Sequence, residues 1–156
     1  MNNVSIVIEN DVFVTSYTEN ISTAFHIEID GKAFPNDTWT DFSYPALELW
    51  KNELIKHESI SNVSFTLYFF DGPFHLEVFK DSHMSLKIDC IDRRGSDTVV
   101  FTAKIGYYDF LQQVYTAMKA LSKIIYDNSL HEKGFTSNYN KTLSSIKEVK
   151  TVLNKK

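Results

Sequence analysis

At 156 residues, with 43% hydrophobic and 14% aromatic side chains, the chain has the size and apolar content of one packed domain and not of a disordered segment. A single cysteine, Cys90, excludes an intrachain disulfide and a multi-cysteine zinc site, and points to a reducing, cytoplasmic setting. The formal net charge of −4 is unevenly spread: residues 1–106 carry 16 acidic against 8 basic side chains, residues 107–156 carry 4 against 8, so the acidic body disfavours nucleic acid and suits a basic protein partner.

In chain order, Val4–Ile8 and Ala24–Ile29 read as strands, the second alternating Phe25, Ile27 and Ile29 on one face with His26 and Glu28 on the other. Asp30-Gly31 marks a turn and Pro35-Asn36-Asp37 a loop. Tyr44 to about Lys56 then reads as a helix, with Asp41 or Ser43 as its cap, Pro45 in its first turn and Leu47, Trp50 and Leu54 on one apolar face.

Four strands follow in close succession. Val63, Phe65, Leu67 and Phe69 alternate inward, Asp71-Gly72-Pro73 turns, and Phe74–Val78 alternates back. Met84, Leu86, Ile88 and Cys90 form the next inner row; after the turn at Arg94–Asp97, Val99, Phe101, Ala103 and Ile105 form the last. Links this short make an antiparallel meander.

Phe110, Val114, Ala117, Met118, Leu121 and Ile125 recur at helical steps, with Asp109 near the helix N-terminus. Gly134 and Thr136–Asn140 should interrupt the pattern before a short helix from about Leu143 to Leu153. The expectation is an α+β domain over 1–128, with one antiparallel sheet of about six strands, one inserted helix and one long helix packed on the sheet. Residues 129–156 form a basic extension. No apolar run approaches the roughly 18 residues of a membrane helix, and Met1–Ser5 lacks an export leader. An exposed apolar sheet face would favour a homodimer.

Chemistry is sparsely signalled. His26-Ile27-Glu28 and His75-Leu76-Glu77 repeat a His-x-Glu pattern on strands, and if those strands were neighbours the four side chains could hold a metal or act as acid and base. Strand alternation alone also places them on polar faces. Cys90 lies on an apolar row, and five glycines form neither a phosphate loop nor a dinucleotide fingerprint, so no cofactor is implied. Asp37 and Asp41 flank Trp39 and Asp71 lies in a turn that could come close, a set that could bind a sugar or do glycosidic chemistry, though Asp41 serves as a cap and Asp71 as a turn residue. Trp39 either plugs the edge of the core or anchors a partner.

Trp39-Thr40-Asp41-Phe42, Leu47 to Trp50, and Phe69-Phe70-Asp71-Gly72-Pro73 resemble a small bacterial family with W-x-D-F, L-x-x-W and F-x-D-G-P motifs, some of whose members are encoded beside polymorphic toxins. The resemblance spans about residues 34 to 125 and implies a cytoplasmic immunity protein that neutralises a basic toxin domain. An immunity protein needs charge and aromatic anchors and no active site. The candidate contacts are Asp37, Trp39, Asp41, Tyr44, Tyr68 and Asp71. The alternative is a small metal-dependent enzyme or ligand-binding domain using His26, Glu28, His75 and Glu77.

Overall fold

The computed structural model describes residues 1–15 and 20–156, without side-chain detail for residues 11–20. Its elements are β1 (Val4–Thr15), β2 (Asn20–Ile29), β3 (Lys32–Phe34), β4 (Thr40–Asp41), α1 (Ser43–Lys56), β5 (Val63–Tyr68), β6 (Phe74–Lys80), β7 (Ser85–Asp92), β8 (Thr98–Gly106), α2 (Tyr107–Asp127), a 3-10 turn at Leu130–Glu132, and α3 (Thr136–Leu153).

The α+β class holds, but the single six-stranded sheet does not. Among the described residues there are two antiparallel sheets of four strands: β1-β2-β3 with β4 also on β2, and β5-β6-β7-β8. Residues 30–42, read from sequence as turn and loop, supply the two short strands that complete the first sheet. Helix α1 then separates the sheets. Its Trp50 ring stands 5.1 Å from Phe25 of β2 and 5.4 Å from Phe69 beyond β5, filling the junction, while its indole N–H donates to the Tyr68 carbonyl at 2.8 Å.

A second junction joins the outer edge of β8 to the start of the chain. The Asn2 backbone N–H donates to the Lys104 carbonyl at 2.8 Å, its Oδ1 accepts from the Lys104 N–H at 2.7 Å, and its Nδ2 donates to Asp30 at 2.7 Å.

The second meander follows most of the predicted rows, with Leu67, Leu76, Leu86, Ile88, Cys90 and Ala103 buried. Val99, expected in the last inner row, is instead 53% exposed, because an extra residue at Val100 shifts the register with β7 and turns Val99 to the other face. Helix α2 lays Phe110, Val114, Ala117, Met118, Leu121 and Ile125 into the same core and packs on β1, α1 and α3. Tyr107 is buried at its start and donates to the Leu54 carbonyl at 2.8 Å; burial raises its phenol pKa.

Helix α3 is longer than the expected Leu143–Leu153, because Thr136–Asn140 joins the helix and does not break it. Val149 and Val152 enter the common core. The basic stretch docks on its own chain: buried Lys51 of α1 pairs with Glu148 at 2.9 Å and Glu48 at 3.5 Å, and Lys155 reaches Glu58 at 3.3 Å. Among the described residues no helix is long and apolar enough to cross a membrane.

Candidate partner-binding surface

The two aromatic motifs meet at one end of the molecule, and Asp41 is what joins them. β4 pairs with β2 at Thr23 and Ala24, which carries the Asp41 side chain inward. It is buried, with Oδ1 accepting from the backbone N–H of Phe42 at 2.7 Å and of Asp71 at 3.1 Å. Oδ2 accepts from the Phe70 N–H at 3.0 Å and from the Trp39 indole N–H at 3.3 Å. Burial, the larger effect, raises the carboxyl pKa above the ordinary aspartate value; the hydrogen bonds from Trp39, Asp71, Phe42 and Phe70 oppose it.

The expected helix cap is therefore absent. Phe42 occupies the N-cap position of α1 without a side-chain cap, because Asp41 is turned toward the 69–74 hairpin and Ser43 Oγ points to the Ile21 carbonyl at 3.5 Å. Trp39 is half-buried as a plug. Its ring stands edge-on to Phe74 with centroids 5.1 Å apart and lies directly over Gly72. Gly72 has φ of +74°, the left-handed region that favours glycine.

Around this fastening, Tyr68 is 46% exposed and Phe70 is 45% exposed. Asp71 is exposed next to Phe70, and Asp37 is exposed two residues before Trp39, where Asn36 orders the loop by accepting from the Thr38 N–H at 3.0 Å. The β7–β8 turn reaches the same end, since the Arg93 N–H donates to the Pro73 carbonyl at 2.9 Å. Arg94 forms a bidentate pair with Asp92, at 2.7 and 3.1 Å, and Arg93 lies 3.6 Å from Asp97. Among the described residues no cation pairs with Asp37 or Asp71.

Of the six candidate contacts, then, Asp37, Tyr68 and Asp71 are exposed, Trp39 is half-buried and Asp41 is internal to the support. Tyr44 sits in the first turn of α1, part-buried against the core, where burial and then Glu48 raise its pKa. Phe70 was missed. It follows the inward Phe69, and alternation alone would have turned it outward.

The two His-x-Glu pairs do not converge: β2 and β6 belong to different sheets. Each histidine pairs along its own strand, His26 Nε2 with Glu28 at 3.4 Å and His75 Nε2 with Glu77 at 3.0 Å. Both rings are buried, contrary to simple alternation, and both Nδ1 atoms lack a hydrogen-bond partner among the described residues. Among the described residues no group of three His, Cys, Asp or Glu side chains is placed to hold a metal ion. Cys90 is buried, and burial pushes its thiol pKa up to about 12, which removes it as a nucleophile at neutral pH.

Comparison with protein-family models, with curated proteins and with solved structures finds no match for this chain.

Proposed function

We propose that this chain is a protein-binding module, acting in the cytoplasm as an immunity protein that neutralises a basic bacterial toxin domain. Its contact surface is the end formed by Asp37, Trp39, Tyr68, Phe70 and Asp71. One observation carries the reading: two large aromatic side chains are held about half exposed, Tyr68 on strand β5, with its carbonyl accepting from the Trp50 indole N–H, and Phe70 on a backbone that Asp41 fixes from beneath. A rigid aromatic display loses little conformational entropy on binding, and aromatic anchors dominate the energetics of protein interfaces. The carboxylates of Asp37 and Asp71, which pair with no cation among the described residues, favour a basic partner and faster encounter with it.

Products of the genes flanking this one, purified and titrated against the protein by calorimetry, provide the test. A basic toxin-like neighbour should bind, with affinity falling about tenfold or more for Phe70→Ala and more steeply salt-dependent than the complex with Asp71→Asn. If no neighbour's product binds, or if Phe70→Ala and Asp71→Asn bind like the wild type, the proposal fails.

A further inference from the structure

The end that carries Tyr68 and Phe70 offers only a few side chains, whereas a stable protein interface takes about 20–30 residues a side. A partner held there must also touch a neighbouring surface. Next to it lies the outer face of the second sheet, opposite the buried row of Leu67, Leu76 and Cys90.

The outer row nearest that end is Tyr68, His75, Ile91 and Val99. Its two middle members are buried and its two outer members half exposed. Val99 joins this row through a bulge: Ile91 lies opposite Val99 and Cys90 opposite Phe101, so Val100 is the extra residue. Unbroken alternation would have turned Val99 inward with Phe101. Bulges recur where a side chain is re-aimed toward a working surface.

The second row is Thr66, Glu77, Asp89 and Thr102. Its two carboxylates stand directly opposite each other on β6 and β7, an arrangement that costs stability. The hydroxyls of Thr66 and Thr102 donate to them at 3.0 and 2.8 Å and hold both in place. A hollow of about 110 Å³ is lined by Glu77, Asp89, the half-exposed Phe79 ring and Lys87. Lys87 reaches Asp89 at 3.2 Å, but it is itself half exposed, so the pair is weak. Among the described residues no lysine or arginine pairs with Glu77; its partner is His75 at 3.0 Å. Lys87 and Lys104 lie opposite each other in the third row. The face is thus acidic beside the contact end and basic away from it.

We propose that the basic partner of the function proposed above, on which this inference rests, lies over the first two rows and places an arginine between Glu77 and Asp89. A guanidinium is planar, pairs with carboxylates through a fork of donors and stacks on an aromatic ring, and the hollow presents two oriented carboxylates beside Phe79. The cation also relieves the repulsion between the opposed carboxylates.

Calorimetric titration with the purified product of the flanking gene tests it. Glu77→Gln combined with Asp89→Asn should weaken binding about tenfold and flatten its salt dependence, while the melting temperature holds or rises because the opposed charges are gone. Val99→Lys, in the first row, should weaken binding as well, and Lys87→Ala, which removes the competing cation, should tighten it. A double variant that binds like the wild type or melts below it, a Val99→Lys variant that binds unchanged, or weaker binding by Lys87→Ala would each overturn the proposal. If Phe70→Ala still weakens binding in that event, the proposed function stands and only this extension of its surface falls. If no flanking product binds, both fall together.

Discussion

The Trp39 indole rests on the face of Gly72 from which a side chain would project: a Cβ built there comes within 2.7 Å of Trp39 Cη2. Gly72→Ala must therefore shift the indole as well as hold alanine at positive φ. The expected cost is about 2–4 kcal/mol in urea unfolding, from backbone strain and overpacking together. Trp39→Leu in the Gly72→Ala background should recover the overlap part and leave the strain. Additive losses in the double variant would mean that the two residues are not coupled.

Asp41→Asn replaces one acceptor oxygen with an amide group that faces donors already present from Trp39 and Phe70. It should destabilise the fold by about 1–3 kcal/mol, the cost of leaving buried donors unmatched. The direction of the pH effect follows from the raised pKa. Folding favours the protonated carboxyl, so Asp41's contribution is fully present below the unfolded value of about 3.9 and declines as pH rises through the higher folded value. The wild type's advantage over Asp41→Asn should shrink as pH rises above the unfolded value of about 3.9. An advantage that grows over that range would show that the four hydrogen bonds outweigh burial.

Cys90 should be inert to a thiol reagent such as dithionitrobenzoate in native protein near neutral pH and react stoichiometrically in denaturant. Its thiol is both buried and held near pKa 12. Rapid labelling of folded protein would contradict both properties.

Helix α3 should contribute to stability through its apolar face and not through its terminal lysines. Val149→Asp places a carboxylate in the shared core and should cost about 3 kcal/mol or more. Lys155→Ala removes an exposed side chain from its Glu58 pair and should change stability by less than about 0.5 kcal/mol. Thermal denaturation of both variants is the measurement, and equal losses would refute the distinction.

Much of the fold was legible where one face is buried and the other wet. Leu47, Trp50 and Leu54 on α1, and the rows through Leu67, Leu86 and Phe110, all lie in the core as their spacing requires. What spacing could not show is how many sheets the strands make, since a hairpin links only neighbours. Lys32–Phe34 and Thr40–Asp41 are too short to carry a period, yet they complete the first sheet. Thr136–Asn140 looked like a break because its polar residues mask a helix. That helix is held through Thr142, Ser145 and Val149 further along, with the Ser145 hydroxyl donating to Glu48. The candidate surface was partly legible: Trp39 and Asp71-Gly72-Pro73 stood out, but the inward turn of Asp41 depends on β4 and on a hairpin 30 residues away.

The placement of α2 against β1 sets an order of events for a chain made from its N-terminus. The first sheet can pair locally as soon as residues 1–41 exist and α1 then covers it at Phe25, but the helix that packs on β1 begins at Tyr107. On a ribosome delivering about 5–20 residues per second, that apolar face stays open for several seconds. The contact between Asn2 and Lys104, 102 residues apart, likewise waits until Lys104 has been made. Nascent chains halted before Tyr107 are thus the stage most exposed to aggregation and most in need of a chaperone.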